Sequence, residues 1–207
     1  MPKPTSLPGI IVPITLALLL ANVHAHAQTP TKPVPAKASA RASTKDAKPE
    51  AAKDTGPAPN MVVISPQLVT SGQPNSDQLG NLAAQGFEAV IYLAPPWVSD
   101  AILDEAQIIG RQGLVNVNIP IKFDNPTEKD FETFAAVLQA LGKRKVLVHC
   151  QVNMRASSMV FLYRSIILKE DPHTAWDSVT KIWVPEGPWK KLIQQQLQKH
   201  SIKFEPL

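Results

Sequence analysis

The sequence predicts an α/β fold, a three-layer sandwich with a mainly parallel central sheet. Two observations carry this. Over residues 61–207 short β-type runs alternate with helix-type runs, the order that parallel strands joined by crossover helices require. Ala89–Leu93 (AVIYL) and Lys145–His149 (KVLVH) are short apolar runs that read as strands. The stretch 61–207 also has the length of one typical domain.

The chain ahead of it reads differently. Lys3, the twelve-residue apolar run Ile10–Ala21 and Ala25-His26-Ala27 form a secretory leader ending at residue 27, with Gln28 as first mature residue. That run is shorter than the ~20 residues a membrane-spanning helix needs, so no stable membrane span is expected after cleavage. The expected location is periplasmic or secreted. Residues 28–60 are rich in Ala, Lys, Pro and Thr, with Val34 as the one branched aliphatic residue and no aromatic. Such a segment buries too little apolar surface to offset its ordering entropy and reads as a disordered linker. Residues 1–60 carry seven Lys/Arg against three Asp/Glu, whereas 61–207 carry fourteen of each. The basic charge therefore belongs to the leader and linker, and no nucleic-acid partner is expected for the domain.

Within the domain the elements follow in order. Met61–Ile64 and Leu68–Thr70 are short strands, and Ser71-Gly72-Gln73-Pro74 is a turn. Asn75–Gln85 is a helix with Asn75 or Ser76 as cap and Gly86 at its stop. The strand Ala89–Leu93 ends at Pro95-Pro96. Asp100–Gln112 is a helix, with Asp100, Asp104 and Glu105 as first-turn charges. Val115–Pro120 alternates and reads as a strand. Thr127–Leu141 is an amphipathic helix whose Thr127-Glu128-Lys129-Asp130 start is a capping pattern. After the strand Lys145–His149 come three helices, Arg155–Lys169, Pro172–Trp183 and Pro188–Lys199, with Asp171 set to cap the second.

The step from strand to helix at 145–169 carries the chemistry. Loops at the carboxyl ends of parallel strands are where such folds bind ligands. A helix N-terminus adds unpaired N–H groups and partial positive charge, which favour an anion and the thiolate form of a cysteine. Cys150 stands there as nucleophile, and Arg155, where loop meets helix, can hold an oxyanion with two hydrogen bonds. Gln151, Val152, Asn153 and Met154 supply the loop amides that would surround it. Cys150 is the chain's one cysteine, so it has no partner for an intramolecular disulfide. His149 is either a packed strand residue or a group that orients the loop. Ser157 and Ser158 either cap the helix or, for Ser157, support the site. Trp183 and Trp189 read as packing residues, and Arg164 in its apolar helix as half of a buried ion pair. No Gly-rich nucleotide loop and no metal-ligand spacing is present, so neither metal nor other cofactor is expected.

His149-Cys150 followed by a short loop and Arg155 resembles the signature of cysteine-based protein tyrosine and dual-specificity phosphatases. With Ser71-Gly72-Gln73-Pro74, Ala83–Leu93, Asn125-Pro126-Thr127 and Phe161-Leu162-Tyr163-Arg164, the chain more closely resembles the bacterial beta-lactamase-hydrolase-like phosphatases. The resemblance covers most of 61–200. It implies a cysteine-phosphatase-like domain, a phosphorylated protein or small molecule as substrate, and a phosphocysteine intermediate. It also implies an Asp upstream of Cys150 as acid. Asp124, in the loop before the helix at 127, fits that place better than Asp130, which has a capping task. Four residues separate Cys150 from Arg155 where the common phosphatase loop has five, the usual loop Gly is replaced by Asn153, and Ala156 stands where a hydroxyl usually follows the Arg. The short loop is similar to that of rhodanese-type sulfurtransferases, so a persulfide carrier is one alternative. A non-catalytic phospho-ligand module is the other.

Overall fold

The computed structural model describes residues 56–205. The expected leader and most of the expected linker lie outside the described residues. Strands β1 (Val62–Ser65), β2 (Leu68–Ser71), β3 (Ala89–Tyr92), β4 (Val115–Asn118) and β5 (Val146–His149) form one sheet in the order β1-β2-β5-β3-β4. The pair β1–β2 is antiparallel and the other three pairs are parallel. In β2, β3 and β5 every residue is buried, which is why they read as continuous apolar runs: helices cover both faces.

The period-2 alternation of the strands divides the core. Val69, Val90 and Leu147 point to one face and pack with Leu79, Leu82, Phe87 and Ile109 under α1 (Ser76–Gly80) and α2 (Glu105–Arg111). Leu68, Ile91, Val146 and Val148 point to the other, beneath α3 (Glu128–Leu141), α4 (Met154–Leu162), α5 (Pro172–Thr180) and α6 (Gly187–Lys199). This is the expected three-layer sandwich. The expected caps are present at α3, where Thr127 and Asp130 form a capping box, and at α5, where the Asp171 side chain accepts from the Thr174 N–H.

Three helices differ most from expectation. α1 ends at Gly80 instead of running to Gln85. The Gln112 amide inserts where the next helical bond would form: its Nε2 donates to Leu79 O (2.8 Å) and its Oε1 accepts from Ala83 N (3.0 Å). α2 starts at Glu105, not at Asp100; Asp100 lies outside the helix and accepts from the Gln151 side chain (2.7 Å). The single helix expected over Arg155–Lys169 is α4 followed by a π-helical turn, Tyr163–Ile167. That wider turn carries Arg164, which pairs with Glu170 (2.8 Å) and donates to Ala175 O and Ser178 Oγ on α5.

The domain also begins earlier than its composition suggests. Residues 56–60, grouped by composition with the linker, lie against it: Gly72 N donates to Pro59 O (2.7 Å) and Gln78 Nε2 to Pro57 O (3.2 Å). Among the described residues, no helix is long and apolar enough to cross a membrane.

Candidate active site

β5 delivers His149 and Cys150 to the carboxyl edge of the sheet, and α4 begins four residues later. Cys150 is fully buried, and its N–H continues the parallel ladder by donating to Ser71 O (3.3 Å). Asn153 has φ 71° and ψ 0°, the left-handed conformation that reverses the chain into the helix. Asn is one of the few residues besides Gly that enter this region at modest cost. The substitution for the usual loop Gly thus keeps the backbone turn. The first N–H groups of α4 have no intrahelical acceptor and the dipole favours an anion before them.

Arg155, on the first turn of α4, is almost fully buried. Its Nε donates to Ile121 O (3.0 Å), its Nη1 to Gln151 Oε1 (3.3 Å), and its guanidinium lies 5.0 Å from the centre of the Phe123 ring. These contacts fix the plane of the guanidinium and set one edge of it against the loop side chain Gln151. Gln151 in turn donates from Nε2 to Asp100. A polar chain, Arg155–Gln151–Asp100, therefore crosses the loop.

The loop holding Ile121 and Phe123 also carries Asp124. Trp189 Nε1 donates to Phe123 O (2.8 Å), and the Phe123 ring packs against Trp183 and Trp189 at 5.8 and 5.9 Å. The two tryptophans thus pack, as expected, and the loop they pack is the one beside Arg155. Asp124, exposed, follows Phe123 directly. Asp130 is committed to Thr127, whose N–H and hydroxyl both donate to it.

His149 and Glu105 are both buried and meet at 3.0 Å, Nε2 to Oε1. The carboxylate can only accept, so the imidazole carries its proton on Nε2. The other Glu105 oxygen accepts from Gln73 Nε2 (2.8 Å), and the His149 ring stacks on Tyr92 with centroids 4.7 Å apart. Burial, followed by the nearby Glu105, Asp100 and Cys150 charges, pushes the Tyr92 hydroxyl far above its ordinary range. It remains a donor, facing Pro95 O. Tyr92 and Glu105 also form a wall of a cavity of about 320 Å³, whose other lining residues include Ile102, Leu103, Asn116 and Asn118.

The structure therefore brings Cys150, Gln151, Val152, Asn153, Met154 and Arg155 together, with His149 behind them and Asp124 on the neighbouring loop. Neither Ser157 nor Ser158 caps α4. The cap position is Asn153, Ser157 Oγ donates back to Met154 O (3.2 Å), and Ser158 Oγ is buried without a partner. Sequence reasoning missed the part played by Glu105, which is more than a first-turn helix charge, and misplaced Asp100, which lies outside α2 and accepts from Gln151. It also missed Gln73 and Asn60, whose partners lie far along the chain.

Comparisons with known proteins bear on the family and the fold. Residues 61–198 match the family described as DSP-PTPase phosphatase fused to NAD+ kinase. A beta-lactamase hydrolase-like protein of Xylella fastidiosa (strain Temecula1 / ATCC 700964) is 33% identical over 102 residues, 46% of this chain and 23% of that protein. The chain thus spans about a quarter of the length of that relative. Among solved structures, a DUF442 protein from Shewanella putrefaciens CN-32 is 31% identical with a TM-score of 0.64, the match covering 69% of this chain and 92% of that one. Tk-PTP in its active form, 18% identical with a TM-score of 0.58 over 68% of this chain and 98% of that one, shares the fold. The match to the family model spans the whole sheet and every helix of the sandwich up to the last turn of α6, and on that extent the chain belongs to the DSP-PTPase family.

Proposed function

We propose that this chain is a cysteine-dependent phosphatase that hydrolyses phosphate monoesters on a protein or small molecule through a phosphocysteine intermediate. The observation that carries the reading is the loop from Cys150 to Arg155. It joins a strand end to a helix N-terminus, it turns on a left-handed Asn153, and its Arg155 is pinned by two hydrogen bonds and an aromatic face.

The Cys150 thiolate attacks phosphorus and forms the S–P bond as the P–O ester bond breaks. The leaving oxygen takes a proton from Asp124. Arg155 and the loop amides stabilise the charge on the non-bridging oxygens. Asp124, now a carboxylate, takes a proton from water, whose oxygen attacks phosphorus, breaks the S–P bond and regenerates the thiolate. The leader-like residues 1–27 favour action outside the cytoplasm, in the periplasm or as a secreted protein.

One observation favours a second reading. The four-residue spacing between Cys150 and Arg155 suits a smaller sulfur-centred group, so Cys150 could instead carry a persulfide. A turnover assay over aryl phosphates, phosphopeptides and thiosulfate separates the two. Phosphate release that Cys150→Ser reduces at least about a thousand-fold is expected. Thiosulfate turnover with no phosphate release would replace the first reading with the second, and full phosphatase activity in Cys150→Ser would remove the first.

A further inference from the structure

The segment just ahead of β1 reaches the nucleophile loop directly at two points and, through Gly72, indirectly at a third. Asn60 Nδ2 donates to Val152 O (3.2 Å). Asn60 O accepts from Asn153 Nδ2 (2.7 Å), whose amide also donates to Thr70 Oγ1 (3.0 Å) on β2. Pro59 O accepts from Gly72 N, and Gly72 is bridged to Val152. Both carbonyls can only accept, so each amide must present its nitrogen. Asn60 is itself left-handed, φ 52°, which turns its carbonyl and its side chain toward the same stretch of loop. Asn153, the residue on which the loop turns, is fully buried; its Nδ2 donates to both Asn60 O and Thr70 Oγ1, while its Oδ1 is buried without a partner.

We infer that Asn60 is a positioning residue for the nucleophile loop: its side chain holds Val152 and its carbonyl holds Asn153, so residues 57–60 act as a strap that keeps the loop in its oxyanion-binding form. A Gly at the turning position would adopt the same backbone angles but could not be gripped. The Asn gives the loop a handle, and the strap holds it. The inference rests on the phosphatase reading for its effect on turnover, though not for its effect on oxyanion binding.

The test uses the full-length chain. Because Cys150 is the one cysteine, its alkylation by iodoacetamide reports on this loop alone. Protection by tungstate gives the oxyanion affinity, and release of phosphate from an aryl phosphate gives kcat/KM in parallel. Asn60→Gly keeps the left-handed turn and removes the amide. Asn60→Asp keeps shape and turn but replaces the donor with an acceptor facing Val152 O. Each should weaken tungstate binding and lower kcat/KM by about ten-fold or more, since sub-ångström misplacement of catalytic groups is costly. The thermal midpoint should move by no more than about 4 °C. Asn153→Gly should do the same, and combining it with Asn60→Gly should lose much less than the product of the two effects, because both act on one loop. Wild-type affinity within twofold in Asn60→Gly and Asn153→Gly overturns the inference, as does wild-type Cys150 that tungstate does not protect. A wild type that tungstate protects but that releases no phosphate sinks the phosphatase reading and still leaves the affinities to decide on the strap.

Discussion

Replacing Gly72 by Ala should damage the site far more than its one added carbon suggests. A Cβ built on Gly72 lies 2.9 Å from Gln151 O, 3.1 Å from Pro59 O and 3.3 Å from Val152 Cα. All three atoms are backbone, so no flexible side chain can swing aside. Reaching ordinary contact at 3.4 Å asks Gln151 O to move by about 0.5 Å, which strains the Gln73 N–Gln151 O bond of 2.9 Å. Moving the other way meets Pro59. Overpacking of this kind costs about 1–3 kcal/mol. Displacing the nucleophile loop by a fraction of an ångström to an ångström should lower kcat/KM by up to about a hundred-fold. Gly80→Ala is the control: nothing lies within 4 Å of its Cβ, the residue is exposed, and Ala there should be neutral or stabilising by up to about 1 kcal/mol. Urea unfolding and aryl phosphate turnover on the two variants read both effects. A Gly72→Ala protein with wild-type stability and turnover would refute the claim that the Ser71–Pro74 turn supports the loop.

Other expectations follow from the same geometry. Asp124→Asn should cut turnover about 10²- to 10⁴-fold on alkyl phosphates and much less on aryl phosphates with good leaving groups; an equal loss on both classes would remove Asp124 as acid. Glu105→Ala leaves the buried His149 N–H without its acceptor and should cost about 1–3 kcal/mol in urea unfolding, with Glu105→Gln costing less because it keeps an acceptor. Asp171 sits below the ordinary carboxylate range, first because the Thr174 N–H donates to it. Its stabilising contribution is therefore full above that range and is lost as pH falls through the lower folded value. The stability difference between wild type and Asp171→Asn should stay constant down to about pH 4 and shrink below it. A difference that instead grows toward acid contradicts the sign.

What the sequence disclosed, and what it withheld, divides by distance along the chain. Strands β2, β3 and β5 are legible because burial on both faces leaves them apolar, and α3 and α5 because their caps lie within three residues of each other. Cys150 and Arg155 are legible because strand, loop and helix are contiguous. Where expectation failed, the deciding partner was remote. Gln112 cuts α1 short from 29 and 33 residues away, and Glu105 finds His149 across 44. Nothing local separates such a Glu from a solvated first-turn charge. Asn60 sits in a proline-rich stretch of linker-like composition, and its partner is 93 residues on. The one local hint at the loop was that Asn replaces Gly where a left-handed residue is needed.

That replacement ties the fold to the chemistry. An oxyanion loop must present its N–H groups before the substrate arrives, because donors that have to reorganise during the reaction lose much of their effect. Gly reaches the left-handed turn without strain but brings the largest freedom to be frozen on folding. Asn153 has less freedom to lose and offers an amide that Asn60 and Thr70 can hold. The remaining freedoms are removed by different parts of the fold. The β5 ladder fixes Cys150, the close approach of Gly72 fixes Gln151 and Val152, and Ile121 with Phe123 fixes Arg155. A loop one residue shorter than the common form has fewer dihedrals to restrain. It also has fewer N–H groups to offer, so the placement of each one matters more. The short spacing and the buried Asn are then two halves of one solution, in which rigidity supplied from outside the loop replaces length and glycine within it.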